Sequence, residues 1–172
     1  GGSGLYNIEG LENQKWKKLT SSWGDPSDSI LCSTYNREEV FFLPRHSRGH
    51  KINPTKINFR ANIEVLKKLG VTDIVSVSAV GSLQEHLLPG SFVIADQFID
   101  RTFAREKTFF DGGIIAHVSM AKPTSPSLMK ACESALIKCK VPHQVGGTYL
   151  VMEGPQFSSL AESKMYRSWK AD

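Results

Sequence analysis

Apolar residues recur along the chain in pieces of strand or helix length, separated by polar and turn-forming residues. Residues 16–19 and 30–34 carry the strand pattern, with Gly24-Asp25-Pro26-Ser27 as a turn between them. A third strand, residues 39–43, is the compact run Val40-Phe41-Phe42-Leu43, stopped by Pro44. A helix follows: Asn53 suits its cap, Pro54 its first position and Gly70 its end. Ile57, Ala61, Val65, Leu66 and Leu69 keep helical spacing between them. Residues 73–80 read as a buried strand ending in Gly81-Ser82, and residues 92–99 as another after the Pro89-Gly90 turn. Residues 101–125 form a long irregular excursion with a turn at Asp111-Gly112-Gly113. A second amphipathic helix spans 126–140, with Leu128, Cys132, Leu136 and Cys139 in register. Residues 148–152 are a strand and 159–169 a third helix. This order predicts an α/β fold, a mixed sheet with helices packed against it.

Composition narrows the class. A chain of 172 residues can bury a core as a single domain, residues 1–172, and is short for two. The formal charge is +4, with Lys and Arg scattered instead of gathered in the stripe that a nucleic-acid binder shows. The densest basic group is Arg45, Arg48, Lys51 and Lys56, interleaved with His46 and His50. It is of a size for a small anion, so neither nucleic acid nor membrane is an expected partner. No apolar run approaches the ~20 residues that span a bilayer. The three cysteines, Cys32, Cys132 and Cys139, lack CxxC spacing, which points to a reducing, cytoplasmic setting. The five histidines show no metal-ligand spacing, and no metal or cofactor is expected.

Ligands of open α/β sheets collect at the carboxyl ends of strands. Three predicted strand ends are polar: one delivers Arg45 and His46, one Ser78, Ala79, Gly81 and Ser82, one Glu153, Gly154, Phe157 and Ser158. Arg45 offers a planar fork of donors for phosphate, and His46 a hydrogen bond or a partial charge. Each also has a structural reading: an ion pair for Arg45, loop packing for His46, a backbone bond for Ser78, a core place for Phe157. His117 reads as a surface residue and Glu153 as a turn carboxylate. Gly1-Gly2-Ser3-Gly4 reads as an anion loop if a strand precedes it, or as a linker.

In combination the segments resemble the methylthioadenosine phosphorylase branch of the trimeric purine nucleoside phosphorylases. The resemblance is carried by GGSGLYNIEGL at residues 1–11, LPRHSRGHKINPTKINFRANI at 43–63 and SAVGSL at 78–83. It continues through DQFIDRT at 96–102, TFFDGG at 108–113 and EGPQFSSLAES at 153–163. It implies a three-layer mixed β-sheet with flanking helices, cut at both ends: the first strand and the C-terminal third would lie outside the chain. It also implies phosphorolysis of a purine nucleoside, most directly S-methyl-5'-thioadenosine to adenine and 5-methylthioribose 1-phosphate. Inorganic phosphate would be the co-substrate, and a homotrimer the working assembly.

By that resemblance Ser3, Arg45, His46, Ser78 and Ala79 bind phosphate. Phe157 and Ser158 flank the nucleoside, and His117 reaches a neighbouring subunit's substrate. The acid that protonates the purine is expected beyond residue 172, which leaves the fragment inactive by itself and no catalytic residue within it. The chain departs from the family pattern at Ser47 and Lys170, where glycine is preferred, and at Leu160, where arginine is expected. Those departures, with the missing acids, keep in view a non-catalytic paralogue that retains the phosphate grip and the trimer; a 6-oxopurine phosphorylase is the other alternative, because the residues that discriminate the bases are expected mostly beyond residue 172.

Overall fold

Two tight turns and a helix with its own caps account for most of the order in the first half of the chain. The structure, a computed structural model, describes residues 8–172. By its internal contacts the chain divides into two compact units. One comprises residues up to Ala79 with Ala104–Asp111, and the other Val80–Phe103 with Gly112–Asp172.

In the first unit, β1 (Glu12–Lys17), β2 (Ile30–Tyr35) and β3 (Glu38–Phe42) form an antiparallel sheet in that order. Asn36 and Arg37 join β2 to β3 with φ of 50° and 71°, the left-handed conformation that two-residue hairpin turns favour. Tyr35 then faces Glu38, and the register runs to Leu31 opposite Phe42. That register carries the chain out of β3 at Leu43 and into a fully buried Pro44, so Arg45 leaves the sheet at a fixed point.

The helix expected from Asn53 to Gly70 is two elements. Asn53 caps only a 3₁₀ turn, Pro54–Lys56, after which Ile57 is extended at ψ 124°. Asn58 then caps α1 (Phe59–Lys68), its side-chain oxygen accepting from the Ala61 amide at 3.1 Å. The Asn58 amide also donates to Trp23 O at 2.7 Å, and this tie gives the second cap the advantage. Gly70 ends the segment at φ 79°, as its position predicted. Ile30, Leu31, Ile57, Ala61 and Val65 are the buried apolar residues here. Each fully buried Ile, Leu or Val stabilises by about 1.5–3 kcal/mol. A buried polar pair accompanies them: the Ser27 amide donates to Asn62 Oδ1 (2.8 Å), and Asn62 Nδ2 to Ser27 Oγ (2.9 Å). Arg60 lies 4.3 Å over the Trp23 ring and pairs with Asp111 at 3.2 Å, which ties the 104–111 segment into this unit.

In the second unit β4 (Phe92–Ile94) runs parallel to β6 (His143–Val145), and β5 (Gln97–Arg101) parallel to β7 (Thr148–Met152). The strand expected over 92–99 is therefore split. Asp96 is the cause: its carboxylate accepts from the Gly147 amide at 2.9 Å while its own amide donates to Gly147 O at 3.2 Å. Gly147 sits at φ 150°, which side chains rarely adopt, and a Cβ there would lie 3.0 Å from Val93, so any other residue is strained. α2 (Pro126–Lys138) is capped by Ser125, and α3 (Leu160–Ser168) opens on a capping box of Ser159 and Glu162. β6 was missed by the sequence because three residues, one apolar, carry no period.

The expected buried strand over residues 73–80 is a correction. The segment is in neither a strand nor a helix, and Ile74, Val75, Val77 and Val80 are exposed. A run of β-branched residues reports what a strand would bury, but a strand forms only where another backbone lies alongside to take its hydrogen bonds. No described strand pairs with it. The fold is mixed α/β, with three helices, one antiparallel sheet and two parallel pairs among the described residues.

Candidate functional site

Arg45 and Ser78, 33 positions apart, are joined: Arg45 Nη2 donates to Ser78 Oγ at 3.1 Å. Both are partly buried. The bond occupies a lone pair of the hydroxyl, so the Ser78 hydrogen is left to donate elsewhere. Ala79 follows immediately, with an exposed side chain. The guanidinium and the hydroxyl thus meet as donors, the chemistry that an oxyanion needs.

His46 is held differently from Arg45. Its Nδ1 donates to Ile52 O at 2.8 Å, since a carbonyl can only accept, and its ring stacks on His50 with centroids 4.5 Å apart. Burial, with Arg45 and His50 adding to it, pushes the imidazole below its ordinary pKa, and the Ile52 bond only partly opposes this. The neutral ring therefore presents Nε2 as an acceptor and can donate to an anion only after taking up a proton.

The loop that carries this pair is tightly closed. The Ser47 amide donates to Pro44 O (2.9 Å), His50 to Ser47 O (3.0 Å), and Lys51 and Ile52 both to His46 O (3.0 and 3.1 Å). Asp28 grips it from outside. Its carboxylate accepts from Ser47 Oγ (3.2 Å), from the Arg48 amide (2.8 Å) and from the Arg48 guanidinium (3.1 and 2.9 Å). Burial works against its ionisation, but the bonds from Arg48 and the Ser29 amide outweigh it and hold the carboxyl at about 2. Asp28 was not singled out in the sequence. A carboxylate 20 positions from its partner carries no local signal, and only the hint of a turn at Pro26-Ser27 precedes it.

The other expected site residues have their own surroundings. Ser3 lies outside the described residues. His117, in the second unit, is exposed within residues 112–121, where no helix or strand is assigned. Phe157 is 93% exposed, which excludes a core role. Ser158 shares a 2.8 Å hydrogen bond with Ser163, where either hydroxyl can be the donor. Glu153 is buried and accepts from the Phe103 amide at 2.7 Å, so it braces the backbone past β7 instead of facing solvent. Leu160, at the first position of α3, is exposed. Among the described residues no group of three or more His, Cys, Asp and Glu could hold a metal ion.

The profile that matches residues 1–172 is that of the Phosphorylase superfamily. S-methyl-5'-thioadenosine phosphorylase of Rhodospirillum rubrum is 60% identical over 98% of the chain and 58% of its own length. That of Cereibacter sphaeroides is 57% identical over the same shares. The chain thus spans 58% of the length of these relatives. Among solved structures, a methylthioadenosine phosphorylase from an Antarctic soil metagenomic library matches with a TM-score of 0.90 and 48% identity. It covers 99% of this chain and 61% of that one. Methylthioadenosine phosphorylase from Schistosoma mansoni, solved in complex with adenine, matches with a TM-score of 0.92 and 31% identity, over 99% of this chain and 69% of that one.

Proposed function

The chain belongs to the phosphorylase superfamily, and we propose that the full-length protein cleaves S-methyl-5'-thioadenosine with inorganic phosphate. The products are adenine and 5-methylthioribose 1-phosphate. The single observation that carries the phosphate half is the Arg45–Ser78 hydrogen bond, because it joins two separate polar segments at one place. The names of the relatives support the choice of nucleoside.

The chemistry follows from charge. Breaking the bond between the ribose anomeric carbon and the purine nitrogen leaves positive charge on the sugar, and the electron pair departs with the base. A phosphate dianion held beside that carbon stabilises the charge and then forms the new C–O bond. The leaving purine takes up a proton. Arg45 holds two phosphate oxygens, the Ser78 hydroxyl and the Ala79 amide donate to others, and Ser3 adds a hydroxyl. His46 closes the set once it has taken up a proton from solvent, a form that the charge of the bound dianion favours. Phosphate is a co-substrate in this reading, and no further cofactor is invoked. Phe157 supplies an exposed aromatic face for the nucleoside with Ser158 beside it, while His117 serves a neighbouring subunit in a homotrimer. We place the enzyme in the cytoplasm. Among the described residues no helix is long and apolar enough to cross a membrane.

The test is direct. The full-length protein is incubated with methylthioadenosine, with and without inorganic phosphate, and adenine is followed by chromatography. Adenine release that requires phosphate is expected. A folded protein that releases none, or releases it equally without phosphate, overturns the reading.

A further inference from the structure

Residues 47–50 are conformationally unusual. Ser47, Gly49 and His50 take φ of 61°, 81° and 55°, so two side-chain-bearing residues occupy the left-handed region within one short loop. Such residues persist where surrounding contacts over-determine them. At His50 the stacked His46 ring supplies a contact. At Ser47 the contact is Asp28, whose side chain is only 10% exposed and which receives the Ser47 hydroxyl, the Arg48 amide and both ends of the Arg48 fork. The guanidinium is sandwiched in turn, 4.1 Å over the Trp16 ring of β1. Arg45 and His46 are the two residues immediately before Ser47, and the Ser47 amide closes back onto Pro44 O at 2.9 Å. A change at Ser47 therefore re-aims both.

We propose that Asp28 is a positioning residue for the anion site: it holds Ser47 in its left-handed conformation and so aims Arg45 and His46 at phosphate. The proposal rests on the phosphate reading of that site, and it makes Ser47 an adapted position at which a serine replaces the expected glycine through the carboxylate that tethers it.

The experiment measures the affinity of the full-length protein for inorganic phosphate by titration calorimetry, alongside phosphate-dependent adenine release. Asp28→Asn keeps the volume but offers one acceptor atom where five donors converge. Phosphate affinity is expected to fall about tenfold, and KM for phosphate to rise equally, with KM for the nucleoside little changed. Ser47→Gly on the Asp28→Asn background is expected to recover most of that loss, because glycine needs no tether at positive φ. A purely structural role for Asp28 would not be rescued in this way. If Asp28→Asn does not fold, Ser47→Ala decides, since it keeps the strained backbone and deletes the hydroxyl: several-fold weaker phosphate binding supports the clamp. Unchanged phosphate affinity in the folded variants, or a loss that Ser47→Gly leaves unaltered, overturns it. Wild-type protein that binds phosphate in an Asp28-dependent manner but releases no adenine would refute the enzymatic reading and leave the clamp standing.

Discussion

The loop from Pro44 to Ile52 and the stretch from Gly112 to Ala121 both carry an expected binding histidine, yet they are built in opposite ways. The first is closed by its own amides, tethered by Asp28 and seated behind a buried proline. The second has no assigned helix or strand and shows Ile114, Ile115 and Val118 largely exposed, 72%, 79% and 73%. One region is determined by contacts within its own unit. The other leaves its apolar side chains exposed, outside any assigned helix or strand. A histidine in the first kind of region has a defined tautomer and a shifted pKa; His46 has both. Nothing comparable fixes the ring of His117 among the contacts described.

The sharpest way to break this contrast is Arg45→Ala in the full-length protein. Removing a charged fork from an anion is expected to weaken phosphate affinity about a hundredfold while the nucleoside KM moves little. Equal losses in both would mean that Arg45 is structural. Phe157→Ala should give the reverse pattern, about tenfold in nucleoside KM with phosphate affinity kept, as steady-state kinetics with each substrate varied would reveal.

Acid sharpens the comparison further. Because Asp28 titrates at about 2, below its ordinary 3.8, its bonds to the loop stabilise the fold fully above about pH 4 and are lost as the pH falls through about 2. Circular dichroism should show wild type losing stability in that window, and Asp28→Asn, lacking the titrating group, with a flatter curve there. The smallest expected effect lies in the second unit. Lys170 occupies φ 61° just past α3, so Lys170→Gly should raise stability by about 1 kcal/mol, read as a higher Tm, without touching phosphate affinity.

Much of this was legible without coordinates. The hairpin strands, Gly70 as a helix stop, the Ser159 helix start and the strain at Lys170 are local matters, decided by residues within a turn of one another. The resemblance of the polar segments also named the residues later found joined, Arg45 and Ser78.

What the sequence could not decide was anything that depends on a distant backbone or charge. Residues 73–80 have the composition of a buried strand, but whether they are one depends on a neighbouring chain to pair with, and none of the described strands does so. The split of the expected helix turned on Asn58 reaching Trp23, 35 positions away. Asp28 became a clamp only because the fold brings Ser47 and Arg48 against it. The sequence by itself determined where the chain turns, which residues are candidates for phosphate, and which family the chain resembles, because those follow from local stereochemistry and motif. Only the tertiary structure decided which nitrogen of His46 carries the proton and what holds the anion loop, because hydrogen bonds between distant segments exist only once the chain has folded.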